Sequence, residues 1–326
     1  MKLASQKSGG RDGRLVVVDR ALRNFVAVPD IAPTLQSALD RWAEVEPQLR
    51  AVAAALEAGK QAGAKPFDPR ECAAPLPRAY HWADGSAYVN HIELVRKSRG
   101  ADMPSFYWEE LLIYQGGSDD MLGACADARF ITEEHGIDLE AEIGVITDDV
   151  PMATPREGMA PHIKLIVLVN DWSLRNLVAG ELAKGFGFYQ SKPSTGFSPV
   201  AVTPDELGDA WHDGKVHLPL VSHINGVLLG RPNAGVDMTF NFHQILAHAA
   251  RTRRLGAGTI VGSGTVSNID RSSGSSCLVE RRTLELIEHG AARTPFLSFG
   301  DRVRIEMLDA AGASIFGAID QRVTRA

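Results

Sequence analysis

Apolar positions change their rhythm several times along the chain. Leu15–Val18 and Phe25–Val28 are short apolar runs around turn-forming residues, which predicts a hairpin pair of strands. Leu35, Leu39, Trp42, Leu49, Val52 and Leu56 then recur at helical spacing. They predict a helix over 34–58, with Thr34 as N-cap and Pro47 as a break or kink. Residues 59–69 carry Gly, Pro and Lys and read as a linker, so a small N-terminal domain over 1–68 is expected, followed by a larger one over 69–326. Beyond the linker strands predominate. Val216–Leu220 and Val227–Leu229 flank an Asn225-Gly226 turn signal, and Phe299–Met307 and Ser314–Val323 alternate as closing strands. Asn241–Thr252 is helical in pattern, with Phe242, Ile245, Leu246 and Ala249 on its apolar side and His243 and His248 read as structural. The mixture is α+β and β-rich.

Two strands carry the candidate chemistry. In Ile137–Val145, Ile137, Leu139, Ala141, Ile143 and Val145 share one face, and Asp138, Glu140 and Glu142 share the other. Unpaired carboxylates side by side repel and are costly to bury, and a hard cation with oxygen ligands would resolve that conflict. Spacing alone fits a half-exposed strand with a solvated acidic face at least as well. Ile163–Asn170 is nearly continuous in apolar residues, as in a strand buried on both faces. It ends in Asn170-Asp171-Trp172-Ser173-Leu174-Arg175, where Asp171 is either a site carboxylate or a helix N-cap. The Gly/Pro/Ser-rich stretch 185–199 is a loop with a single lysine, Lys192.

Composition narrows the function class. The chain has 326 residues, 44% of them hydrophobic, enough for a large core and two domains. Net charge is -6, with no basic stripe, so nucleic acid is not an expected partner. No apolar stretch reaches membrane-spanning length, and the first residues lack the apolar core of a signal peptide. Cys72, Cys125 and Cys277 are far apart and odd in number, which fits a reducing cytoplasm and packing roles rather than disulfides or zinc. Gly185-x-Gly187 and Gly262-x-Gly264 lack the third glycine of a dinucleotide fingerprint. No Walker loop, G-x-S-x-G elbow or H-E-x-x-H helix is present.

The order of three motifs resembles the fumarylacetoacetate hydrolase family. An E-x-E pair (Glu140, Glu142) precedes an NDWS-x-R strand end (Asn170 to Arg175) and a lysine-bearing loop (Gln190-Ser191-Lys192-Pro193), and Ser263–Ser267 resembles the family's later SGT turn. The similarity covers roughly residues 70–326. It implies a fumarylacetoacetase-type β-roll or sandwich, usually as a homodimer. It also implies a metal set of Asp84, Glu140, Glu142 and Asp171 for Mg²⁺ or Ca²⁺, since Asp84 precedes His91 by seven positions as an aspartate ligand precedes the base in eukaryotic-type members. His91 is then the general base, because imidazole titrates near neutral pH, and Glu280 its acidic partner. Lys192, helped by Arg175, stabilises the oxyanion. Tyr88, Tyr114 and Thr265 are implied substrate contacts, and Arg96 and Arg99 are candidates for the far carboxylate of a fumaryl tail, though either fits a solvated surface.

The expected reaction is hydrolysis of a C–C bond in a 1,3-dicarbonyl compound. Fumarylacetoacetate, cleaved to fumarate and acetoacetate in phenylalanine and tyrosine catabolism, is the leading substrate. Departures leave the substrate less defined than the chemistry: Ser86 stands where a tyrosine is expected, and 177–184 supplies neither the glutamine nor the tyrosine of the pattern. Acylpyruvate (fumarylpyruvate) hydrolases, oxaloacetate decarboxylases and isomerases of the same family remain alternatives. So does a metal-stabilised scaffold, which would need the carboxylates but not His91, Lys192 and Glu280 together. The Asp84–His91 spacing favours hydrolysis, which alone needs an activated water.

Overall fold

The computed structural model describes residues 1–8, 10–97 and 102–326. Its spine is one large sheet. From one edge to the other the strands are Lys65–Pro66, Asn24–Ala27, Arg14–Val18, Lys2–Gln6, Ala201–Val202, Ile163–Asn170, Ala141–Thr147, Ile260–Gly262, Trp82–Gly85 and Ile113–Gly116. Ile260–Gly262 pairs parallel with Trp82–Gly85, and the other neighbours are antiparallel. The N-terminal segment thus extends the same sheet as the acidic strand.

The continuous apolar run at 163–170 has a direct explanation. Leu165, Val167 and Val169 enter one core with the helices Leu35–Leu39 and Trp42–Glu57. Ile166 and Leu168 enter a second core with Leu220, Val303, Ile305, Ile319 and Val323. Those belong to a five-stranded sheet, Val227–Gly230, Leu220–Ile224, Arg302–Met307, Ile319–Arg325 and Ala128–Phe130. The large sheet is therefore covered by helices on one face and by a sheet on the other. Alternation with period two sorts each strand's side chains between the layers.

Several local expectations shift. The region 34–58 forms two helices, and the interruption falls at Asp40–Arg41, not at Pro47. Thr34 caps the first through a capping box with Ser37. Pro47 forfeits one bond, at a cost of about 3 kcal/mol, while Trp42, Val45, Leu49 and Leu56 are buried, each worth roughly 1.5–3 kcal/mol. Packing wins. The stretch read as a linker contains an edge strand at Lys65–Pro66. The hairpin strand begins at Leu220 rather than Val216, around an Asn225-Gly226 turn in which both residues have positive φ. The segment carrying the acids is buried on both faces rather than half-exposed, and is split into Ile137–Asp138 and Ala141–Thr147, with Glu140 in the gap.

Candidate active site

The site lies at one end of the large sheet, where three strands bring carboxylates together. Asp84 pairs with Gly262, and Gly262 with Gly144. Two residues further along, Glu142 pairs with Val169. A Cβ on Gly262 would lie 2.3 Å from Asp84 Oδ1 and 2.5 Å from the Trp82 ring. Glycine there leaves room for the acid on the next strand. Asp171 follows the last residue of Ile163–Asn170, and its amide donates to the Glu140 carbonyl. It caps no helix; the helix Arg175–Leu182 starts from Leu174.

Ligand oxygens of Asp84, Glu142 and Asp171 all lie within 4.8 Å of one another, and all three residues are buried. Asp84 Oδ1 accepts from the Gly264 amide at 3.0 Å, and Asp171 Oδ1 from Thr195 Oγ1 at 3.0 Å. Glu142 is different: both of its oxygens are buried with no donor among the described residues. Burial, and then Asp171, push the Asp84 carboxyl up to about 8. Burial and the facing Asp84 and Asp171 carboxylates push Glu142 well above its ordinary range. Such a cluster must either hold protons or hold a cation. All-carboxylate donors fit a hard divalent ion.

Glu140 belongs to the same end of the sheet but is already engaged. Lys192 Nζ contacts Glu140 Oε2 and Asp171 Oδ2, both at 2.6 Å, and Ser173 Oγ at 2.8 Å. Arg175 Nη2 lies 2.7 Å from Glu140 Oε1, a charge contact without hydrogen-bond alignment. Burial disfavours the charged Glu140, but Lys192 and Arg175 outweigh it and hold the carboxyl at about 2. Burial likewise disfavours the Lys192 ammonium, yet Asp171 and Glu140 raise it above its ordinary value. Lysine and glutamate are a charged pair.

The second half of the site faces the first across a cleft of about 590 Å³. His91 Nδ1 lies 2.6 Å from Glu280 Oε2. Glu280 is fully buried, with the Arg271 guanidinium 3.6 Å from its other oxygen. Burial pushes the Glu280 carboxyl up, but His91, Ser267 and Arg271 more than offset that and keep it below the usual range. An ionised Glu280 places the imidazole proton on Nδ1 and leaves Nε2 as an acceptor.

The cleft is lined by Asp84, Tyr88, His91, Tyr114, Glu140, Arg175, Lys192 and Thr265, all sequence candidates. Tyr114 donates to Asp171 Oδ2 at 2.6 Å, and Tyr88 to the Ala234 carbonyl at 2.5 Å. Arg96 is not among the lining residues: it donates to the Asp102 carbonyl and stacks over Tyr107. Arg99 lies outside the described residues. Arg175 carries two carboxylates, because its Nε also donates to Asp138 Oδ2 at 2.8 Å. Ser86, which stands where the family pattern has a tyrosine, and Gly264 of the Ser263–Ser267 turn also line it, and Ile92, Val178 and Phe188 complete the lining; sequence reading assigned no role to these last three, to Thr195 or to Arg271. Ser173 and Thr195 stood inside the motifs; the apolar contacts carried no local signal.

Comparison with known proteins identifies the architecture. Residues 80–324 match the family model for the fumarylacetoacetate (FAA) hydrolase C-terminal region, and residues 1–78 match that for fumarylacetoacetase N-terminal domain 2. The chain belongs to the fumarylacetoacetate hydrolase family. Fumarylacetoacetase from Caenorhabditis elegans is 25% identical over 259 residues, 71% of this chain and 57% of that protein. The chain thus spans a little over half the length of that relative. Among solved structures, maleylpyruvate hydrolase from Sphingobium sp. SYK-6, in complex with manganese(II) and pyruvate, superposes with a TM-score of 0.66 at 16% identity, covering 100% of both chains. A protein from Mycobacterium abscessus described as a probable 2-hydroxyhepta-2,4-diene-1,7-dioate isomerase gives 0.67 at 16% identity, covering 100% and 99%. Proteins described as hydrolases and as isomerases therefore share this β-rich α+β fold. Among the described residues no helix is long and apolar enough to cross a membrane.

Proposed function

We propose that the chain hydrolyses a C–C bond in a 1,3-dicarbonyl substrate of the acylpyruvate or fumarylacetoacetate type. The observation that carries this reading is that His91, paired with the buried Glu280, lines the same cleft as Asp84, the member of the Asp84–Glu142–Asp171 cluster that faces it. Isomerisation or decarboxylation needs enolate stabilisation, but hydrolysis also needs a water deprotonated beside the substrate carbonyl.

Asp84, Glu142 and Asp171, with Glu140 beside them, would hold a divalent cation such as Mg²⁺, Ca²⁺ or Mn²⁺, whose bound form supplies Lewis-acid stabilisation of developing negative charge on the dicarbonyl oxygens. His91 Nε2 takes the proton of the attacking water, and Glu280 supports the imidazolium through Nδ1. Hydroxide adds to one carbonyl, and the Lys192 ammonium stabilises the resulting oxyanion. Collapse of that adduct breaks the C–C bond, leaving a carboxylic acid and an enolate. The enolate takes back the proton held on His91 to become a ketone. For fumarylacetoacetate the products are fumarate and acetoacetate. Arg175, spanning Asp138 and Glu140 and lining the cleft, holds Glu140 in place and adds positive charge beside the oxyanion.

Domain division near residue 69, a homodimer, a cytoplasmic location and a place in aromatic amino-acid catabolism belong to the same reading, supported by the family match. The test is an absorbance assay with fumarylacetoacetate, fumarylpyruvate and oxaloacetate, with and without Mg²⁺ or Mn²⁺. Metal-dependent loss of diketone absorbance with a carboxylic acid product is expected. Turnover of oxaloacetate alone, or double-bond migration without cleavage, would overturn hydrolysis.

A further inference from the structure

One buried carboxylate joins the two halves of the site, and no step above uses it. Asp138 is fully buried on a two-residue strand paired with Ser173–Leu174, the segment that leads into Arg175. Its Oδ1 accepts from the Leu278 amide at 2.7 Å. Its Oδ2 accepts from the Val279 amide at 2.9 Å and from Arg175 Nε at 2.8 Å. Leu278 and Val279 open the helix Leu278–His289, and the preceding Cys277 gives that helix no side-chain cap. The cap comes instead from a residue distant in sequence. Glu280, the next residue of the helix, reaches His91. On the other side, Arg175 reaches Glu140, which holds Lys192.

We infer that Asp138 is a positioning residue: it anchors the first turn of the Glu280 helix to Arg175, and so sets the His91–Glu280 pair against the lysine and carboxylate side of the cleft. All three strong donors near Asp138 are accounted for by its two oxygens. Backbone amides at a helix start and a guanidinium both favour a charged acceptor there. The neutral isostere asparagine would present an NH₂ group to at least one of these donors. The first turn then loses its anchor, and Glu280 its register on the imidazole. Catalytic geometry is sensitive at this scale, since a displacement of about 1 Å can cost on the order of 100-fold in rate.

The kinetic effect rests on the proposed hydrolysis, but the positional one does not, so the test reads both in the full-length protein. Histidine-labelled protein should show a downfield His91 Nδ1–H NMR resonance, and Asp138→Asn should shift or broaden it without any substrate. With Mn²⁺ and the best diketone, Asp138→Asn should lower kcat about 10-fold or more with KM little changed. The same substitution in a Glu280→Gln background should then cost little further, because the two act through one pair. Cys277→Ser, which supplies a local cap, should restore the resonance and part of kcat to the Asp138→Asn protein, and it also provides a folded variant if Asp138→Asn is insoluble. An unchanged resonance, or equal kcat losses in both backgrounds, overturns the inference. If wild type cleaves no diketone while the resonance responds as stated, the functional reading fails and Asp138 keeps its role.

Discussion

Lys192 Nζ lies 2.6 Å from the carboxylates of both Glu140 and Asp171, so a single ammonium stands between the cluster suited to a cation and the acid next to it. That placement gives the lysine two duties. In the proposed reaction it would stabilise negative charge arising in the cleft, and at rest it compensates two buried carboxylates. Lys192→Met keeps the length and removes the charge. Its kcat should fall by roughly 10² or more. Stability should also drop, by about 3–5 kcal/mol, as expected when one partner of a buried pair is removed. Steady-state kinetics and chemical denaturation of the same preparation check both. Near-normal kcat would reduce Lys192 to a structural counter-ion.

Glu142 gives the opposite balance. Its two oxygens meet no donor among the described residues and face two other carboxylates. Glu142→Gln should therefore raise the thermal stability of the metal-free protein while weakening divalent binding by at least an order of magnitude, a gain in stability at the expense of function. Calorimetric titration with Mn²⁺ and a melting curve in chelator decide it. Unchanged Mn²⁺ affinity would remove Glu142 from the ligand set. Glu140→Gln, by contrast, should destabilise the protein, because Lys192 and Arg175 lose their partner.

The cluster also sets a pH dependence. In metal-free protein, burial and neighbouring acids raise Asp84 from its ordinary 3.8 to about 8, and Glu142 rises too. The folded state then binds more protons than the unfolded chain. Stability from these groups is complete below pH ~4 and is lost as pH rises through about 8. A divalent ion takes the place of those protons, so its stabilising effect should grow with pH. Denaturation midpoints at pH 5, 7 and 8.5, in chelator and in Mn²⁺, should diverge steadily. Parallel curves would count against a metal held by these carboxylates.

How much of this was readable beforehand depends on the range of each interaction. The continuous apolar run at 163–170 announced burial on both faces, because period two makes each strand face a local property. Asn225-Gly226 announced its turn for the same reason. Asp84, Glu142 and Asp171 were legible through motif spacing. Asp138 looked like a third member of the acidic face; its helix partner lies at Leu278, and no local period links them. Arg96 was placed near substrate only by adjacency to His91, and the helix turns it away to Asp102 and Tyr107. The strand order could not be read either, since Lys2–Gln6 joins the sheet through Ala201–Val202, far along the chain.

Residues 177–184 supply neither the glutamine nor the tyrosine of the family pattern, yet Glu181 clamps the lysine loop. Its carboxylate accepts from the amides of Tyr189, Gln190 and Ser191 at 3.1, 2.7 and 3.1 Å and from Ser191 Oγ at 2.5 Å. Burial pushes this carboxyl up, but the four donors outweigh it and hold it at about 2. A depressed acid stabilises above its ordinary 4.5 and loses that contribution as pH falls through about 2. Limited proteolysis or hydrogen exchange of 185–191 should therefore rise as pH drops from 5 towards 2.5. Glu181→Gln should show the loosened loop throughout that range. A loop equally protected in both proteins would assign the anchoring to Lys192 itself.

The final prediction separates the base from its support. His91 is the only histidine lining the cleft among the described residues, and Glu280, which does not itself line the cleft, meets it through His91. His91→Ala should lose hydrolysis by roughly 10²–10⁴-fold, while Mn²⁺ and an enolate-mimicking inhibitor still bind, because the carboxylate cluster is untouched. Glu280→Gln retains an oxygen that can accept from Nδ1–H but gives up the charge that stabilises imidazolium. Its kcat should fall less than that of His91→Ala, and the double variant should be no worse than His91→Ala alone, since an orienting group has no effect without the ring it orients. Rates and inhibitor affinities for the three variants on one diketone settle the order. If His91→Ala keeps most of its activity, no activated water is being made there. Enolate chemistry at the carboxylates and Lys192 would then remain as the whole of the site's work, which is what a decarboxylase or an isomerase of this fold requires.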